Sequence, residues 1–86
     1  MAQKKSITGV VMDASGESII GASVVEVGTT NGVITDISGK FTLMVDPNGK
    51  IKVSYIGYQS QVLDVKGRNS FNIKLKEDSE MLDEVV

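Results

Sequence analysis

The 86-residue chain contains no cysteine and no histidine. These absences exclude disulfide bonds, thiolate zinc sites, cysteine nucleophiles and any Ser-His-Asp triad. Proline occurs once, and two tyrosines and two phenylalanines are the only aromatic residues, which leaves little for a sugar-binding platform. No apolar run approaches the ~20 residues that a membrane-spanning helix needs. The nine glycines indicate many turns rather than long helices.

The length allows one small domain. A chain of this size buries only about 60–65% of the surface that its unfolded form exposes, which permits one core but not a deep catalytic cleft as well. Catalysis needs a positioned acid, base or nucleophile, and the carboxylates here lie mostly at turns and near the C-terminus. We therefore predict a protein that is not an enzyme and that requires no metal or other cofactor.

Charge is distributed unevenly along the chain. Residues 77–86 carry five acids and no base, whereas residues 1–76 carry nine bases and six acids, so a body of charge +3 precedes a tail of charge −5. Such a tail is typical of a solvated end, and a segment that binds a partner is the alternative. The lysines of the body are scattered rather than interleaved with Tyr55 and Tyr58, which predicts no nucleic-acid binding.

Period-two alternation of apolar and polar residues dominates the sequence and predicts strands. The first strand covers residues 6–12, the second 22–27 and the third 33–35. Apolar residues at alternate positions anchor four more strands: Phe41, Leu43 and Val45; Ile51, Val53 and Tyr55; Leu63 and Val65; and Phe71, Ile73 and Leu75. Seven short strands separated by frequent turns predict an all-β fold, a β-sandwich.

The second strand has two possible inward faces. One stripe is Ala22, Val24 and Glu26, and the other is Ser23, Val25 and Val27. Because a carboxylate is costly to bury, Glu26 argues against the first stripe.

Turn signals separate the strands. The pattern Asp-x-Ser-Gly occurs at residues 13–16 and again at 36–39, where Asp can cap the backbone and Gly accepts a positive φ. Neither loop has the ligand spacing of an EF-hand calcium site, so we interpret both as capped turns. Tyr55 and Tyr58 flank Gly57 after the fifth strand. They could form an exposed contact patch, but we favour one ring in the core and the other at its rim.

Several segments taken together resemble a known family. They are residues 7–11 (ITGVV), 16–24 (GESIIGASV), 28–36 (GTTNGVITD), 39–41 (GKF) and 53–58 (VSYIGY). The combination is similar to the carboxypeptidase-regulatory-like domain at the N-terminus of SusC/RagA-type TonB-dependent outer-membrane transporters, over residues 6–86. That family implies a seven-stranded transthyretin-like (prealbumin-like, Ig-like) β-sandwich. Ser18 stands where many members have proline, and Glu26 where many have an apolar residue.

The resemblance gives the tail a role. Leu82, Asp83, Glu84, Val85 and Val86 resemble the start of a TonB box, the segment that pairs as an added strand with periplasmic TonB. We therefore expect a sandwich over residues 6–76, then a flexible acidic linker and the start of the TonB box over residues 77–86. We also expect the natural chain to continue past Val86.

The resemblance also implies a setting on the periplasmic side of the outer membrane. The partners would be TonB and the transporter's own plug and barrel, with a surface lipoprotein engaged only through the full transporter, which imports glycans or peptides. We expect the isolated domain to be a monomer. A carbohydrate-binding module and a passive structural spacer are the alternatives.

Overall fold

Two β-sheets form the protein. The computed structural model describes residues 4–78, and the strands are β1 (Lys5–Met12), β2 (Ser23–Glu26), β3 (Gly32–Ile34), β4 (Lys40–Val45), β5 (Lys50–Ser54), β6 (Gln61–Asp64) and β7 (Ser70–Lys74). One sheet has the order β4-β1-β7 and the other β3-β2-β5-β6. This confirms the predicted seven-stranded, all-β sandwich. Across residues 4–78 we find no helix with the length and apolarity to span a bilayer.

The alternation of side chains explains which face of each strand is buried. In β4, Phe41, Leu43 and Val45 are buried and their neighbours are exposed, and β7 repeats the pattern with Phe71 and Ile73. The same strands supply much of the core, whose members are Ile7, Val11, Ile19, Ala22, Val24, Phe41, Leu43, Val45, Ile51, Val53, Val65, Phe71, Ile73 and Leu75. The inward faces predicted for the fourth to seventh strands are therefore confirmed, although Tyr55 and Leu63 are only partly buried.

A glycine at the centre of β1 makes room for the ring of Phe41 and for the backbone of Phe71. Gly9 is the cross-strand partner of Phe41 in β4 and of Phe71 in β7. A Cβ atom at this position would lie 2.6 Å from Cε2 of Phe41 and 2.9 Å from the carbonyl oxygen of Phe71. Because carbon atoms normally pack about 3.5–4.0 Å apart, the Phe41 ring occupies the space that a side chain would need.

The inward face of β2 differs from the sequence expectation. Ala22, Val24 and Glu26 point into the sandwich, and Glu26 is 5% exposed. Its carboxylate accepts hydrogen bonds from the Asp46 amide at 2.9 Å and from Asn31 Nδ2 at 3.0 Å, with Lys4 Nζ 3.9 Å away. The inward stripe that we disfavoured because of Glu26 is therefore the correct one. Asp46, 20 residues away, and the nearby Asn31 supply the hydrogen bonds that make this buried carboxylate tolerable.

The strands alternate in direction, so that the loops after β1, β3 and β5 lie at the same end as the end of β7. Hydrogen bonds tie them together: Val11 N–H to Gly39 O at 2.8 Å, Thr35 Oγ1 to Ile19 O at 2.6 Å, and Gln59 N–H to Lys76 O at 2.8 Å. We call this the exit end, made of residues 13–22, 35–39, 55–60 and 75–78. The loops at residues 27–31, 46–49 and 65–69 form the opposite end.

Candidate functional site

The predicted partner-binding residues, Leu82, Asp83, Glu84, Val85 and Val86, lie outside the described residues. The prediction that they form the start of a TonB box stays a prediction. The structure does describe the path by which the chain approaches them, through residues 75–78 at the exit end.

The chain changes partners as it leaves β7. Leu75 N–H still donates to Met12 O, at 2.9 Å, and so belongs with β1. Glu77 then forms an antiparallel bridge with Tyr58, and Asp78 N–H donates to Gly57 O at 2.9 Å. An isolated bridge and one further backbone hydrogen bond thus reach two residues into the segment that we predicted as linker. The linker as a whole remains a prediction.

The loop that receives this segment is a tight turn. Tyr58 N–H donates to Tyr55 O at 3.0 Å, and Gly57 has φ of 88°, a conformation that glycine adopts without a steric penalty. The two tyrosine rings lie 5.9 Å apart at 44°, and both pack against the core while remaining partly exposed. The interpretation that one ring fills the core is therefore wrong, since the turn places both rings at the rim.

A shallow depression lies beside Tyr58. Its volume is about 470 Å³, and Asp13, Ala14, Ser15, Tyr58, Lys76 and Glu77 line it. Burial raises the pKa of the Tyr58 phenol above its ordinary value, and the carboxylates of Asp13 and Glu77 raise it further. The phenol therefore stays protonated at neutral pH and is poorly suited to act as a base.

Both Asp-x-Ser-Gly turns are capped as predicted. Asp13 Oδ1 accepts hydrogen bonds from Ser15 N–H at 2.9 Å and from Glu17 N–H at 3.0 Å, and Asp36 Oδ1 accepts from Ser38 N–H and Lys40 N–H at 2.9 Å. A further bond from the Ser15 hydroxyl is the main cause that lowers the pKa of Asp13. These oxygens serve the turns, and residues 4–78 hold no cluster of three acidic side chains that could bind a metal ion.

Comparison with known proteins decides the family. Residues 7–86 match the CarboxypepD_reg-like domain family. The chain belongs to this family. This CarboxypepD_reg-like domain is 49% identical over 99% of its length to the TonB-dependent receptor SusC of Bacteroides thetaiotaomicron. It is 37% identical over 96% of its length to the TonB-dependent receptor P39 of Formosa agariphila. It spans only 8% of each of these receptors.

Solved structures resemble the domain in fold. Catechol 1,2-dioxygenase of Acinetobacter radioresistens superposes with a TM-score of 0.65 at 14% identity, covering 93% of this chain and 54% of that one. One chain of an interface mutant of the type II cohesin–X-dockerin complex of Acetivibrio cellulolyticus gives a TM-score of 0.62 at 17% identity, covering 81% of this chain and 51% of that one. At such identities the likeness concerns the fold alone.

Proposed function

We propose that this chain is a non-catalytic accessory domain of a TonB-dependent outer-membrane transporter, situated on the periplasmic side of that membrane and preceding the plug. The observation that carries the proposal is the match to a SusC receptor along almost the whole chain, at 49% identity. The full transporter would import a glycan or a peptide that a surface lipoprotein delivers. The chain described here would contribute to engagement of TonB rather than to substrate binding.

The contact with TonB is proposed for the tail. Leu82, Asp83, Glu84, Val85 and Val86 would pair as an added strand at an open sheet edge of TonB, since an extended segment supplies backbone N–H and C=O groups there. The position of Asp78 supports this arrangement. Its amide is held against Gly57, so the segment that follows starts from a fixed point on the sandwich.

A sugar-binding role has little to support it. Phe41 and Phe71 are buried, and the rings of Tyr55 and Tyr58 pack against each other and against the core. Carbohydrate platforms present exposed aromatic faces, and these four residues are the only aromatic residues in the chain.

Proline substitutions test the contact with TonB. The chain, extended past Val86 by the residues that follow it in its transporter, would be titrated calorimetrically with the C-terminal domain of TonB. Leu82→Pro and Val85→Pro each remove a backbone donor. Because neighbouring residues of a strand point their N–H groups to opposite edges, substitutions at positions 82 and 85 sample both edges, and at least one should abolish binding.

Asp83→Asn is the matched control, because it preserves the backbone N–H and the size of the side chain. It should bind TonB nearly as the unsubstituted chain does. Circular dichroism should show the same sandwich in all variants, since the substitutions lie beyond it. Full binding by both proline variants would favour the passive-spacer alternative and remove the assignment of these five residues.

A further inference from the structure

The two ends of the sandwich differ in the side chains that they expose. Half of the eight isoleucines are exposed, and all four lie at or beside the exit end: Ile20 at 54%, Ile34 at 68%, Ile37 at 79% and Ile56 at 86%. The opposite end exposes Val27 at 48% and, beside it in β4, Met44 at 50%, and its loops otherwise contain Gly, Thr, Asn, Asp, Pro, Val65 and bases. Single exposed apolar residues are ordinary, but their concentration at one end indicates a contact surface.

Turn geometry does not account for Ile37 and Ile56. Ile37 occupies the second position of the turn closed by Gly39 N–H and Asp36 O, at 2.8 Å. The equivalent turn closed by Gly16 N–H and Asp13 O, at 3.0 Å, has Ala14 at that position. Ile56 has the second position of the turn between Tyr55 and Tyr58. Turns favour Gly, Pro, Asn, Asp and Ser, so isoleucine at two such positions requires another explanation.

The excess of acidic residues at the exit end indicates the charge of a partner that would bind there. The exit-end segments contain five acids, Asp13, Glu17, Asp36, Glu77 and Asp78, and one base, Lys76. The opposite-end loops contain one acid, Asp46, and two bases, Lys66 and Arg68. A partner that covers the isoleucines would therefore present an apolar patch surrounded by basic residues, since complementary potentials favour the correct docking partner.

The size of the patch and the position of the chain favour a tethered partner. Four isoleucines would bury on the order of a few hundred Å², which is below the ~1,200 Å² typical of stable complexes between separate proteins. A tether compensates for a small interface by raising the effective concentration. The described chain leaves the sandwich at this same end, and the eight residues from 79 to 86 can span at most about 26–29 Å.

We infer that Ile20, Ile34, Ile37 and Ile56, with the surrounding carboxylates, dock on the periplasmic surface of the transporter body to which the chain is joined after Val86. This inference rests on the proposed function, because it requires such a body in the same polypeptide. Docking would hold the domain next to the plug and set the position from which the tail reaches TonB.

Site-specific photocrosslinking in the full-length transporter tests the inference. Benzoyl-phenylalanine replaces Ile56 in one variant and Asn48, in an opposite-end turn, in the control. We expect mass spectrometry to find crosslinks from position 56 to residues beyond 86 of the same molecule, and none from position 48. Equal yields at both positions, or no crosslink from position 56, would overturn the inference. So would crosslinks from position 56 that reach only a second copy, only residues 79–86 or only TonB.

Second-site substitutions test the role of the isoleucines. Ile20→Ser with Ile37→Ser should weaken docking about a hundredfold, because each apolar side chain removed from a buried contact weakens it about tenfold. The crosslink yield from position 56 should fall at least about tenfold as a result. Ala14→Ser should leave the yield unchanged; an unchanged yield in the double variant would contradict the inference. TonB binding, measured separately on the same proteins, distinguishes the proposals: crosslinking with no TonB binding refutes only the TonB role, and TonB binding with no crosslinking refutes only docking.

Discussion

Replacing Gly9 with alanine should destabilise the sandwich from its centre. The added methyl group would lie 2.6 and 2.7 Å from Cε2 and Cζ of Phe41, about 1 Å closer than carbon atoms normally pack. It would also lie 2.9 Å from the Phe71 carbonyl oxygen, and that strand cannot retreat without losing its pairing with β1. Overpacking of a core typically costs about 1–3 kcal/mol, a large share of the ~4–13 kcal/mol expected for a domain of this size.

The assay is urea unfolding of the 86-residue chain followed by circular dichroism. Alanine also restricts the unfolded chain, which offsets about 0.4–1 kcal/mol, so we expect a net loss toward the lower half of the overpacking range. Phe41→Leu removes the outer ring atoms and should relieve the clash. In the double variant, Gly9→Ala should therefore cost less than it does alone, with a coupling energy of about 0.5–3 kcal/mol. A single variant as stable as the parent, or strictly additive effects, would refute the packing argument.

Three further predictions concern stability and use the same unfolding measurement. Phe71→Ala should cost about 3–5 kcal/mol, because the ring is 3% exposed and also loses the Arg68 guanidinium 4.4 Å above it; a loss below about 1 kcal/mol would contradict the assigned facing of β7. Two hydrogen bonds hold the pKa of Glu26 below its ordinary value: the one from the Asp46 amide has the larger effect, and the one from the Asn31 side chain has the next largest. The contribution of the Glu26 carboxylate to the free energy of unfolding is therefore complete above the unfolded-state pKa of about 4.3. It is lost as the pH falls through the lower pKa of the folded state. Glu26→Gln should cost about 1–3 kcal/mol at pH 7 and progressively less in acid, and a cost that does not depend on pH would contradict this account. Ile37→Ser with Ile56→Ser should change stability by less than about 1 kcal/mol, since each exposed substitution stays within about 0.5, and a larger loss would show that these side chains support the fold.

Local alternation was sufficient to predict most of the strands. Val53 and Ile73 have polar neighbours on both sides in the sequence, and they are buried because one face of each sheet is covered. The capped turns at Asp13 and Asp36 were also predictable, because the backbone N–H groups that each aspartate side chain caps lie within four residues of it.

Features that depend on distant partners could not be predicted in this way. The burial of Glu26 requires the Asp46 amide, which is 20 residues away. The residues around position 26 do not predict this hydrogen bond. The parallel pairing of β1 with β7 and the bridge between Tyr58 and Glu77 depend on how the two sheets pack. Exposed isoleucines in the turns were visible in the sequence, but only the strand directions show that they share one end.

The central claim is that TonB binds the tail of the chain rather than the folded sandwich that precedes it. Amide NMR spectra of the ¹⁵N-labelled chain, extended past Val86 and titrated with the C-terminal domain of TonB, test it most directly. The account predicts that the shift changes concentrate at Leu82, Asp83, Glu84, Val85 and Val86 and in the extension, while the amides of core residues such as Val53 and Ile73 keep their positions. The largest changes in the sandwich, with the tail signals unmoved, would contradict the claim.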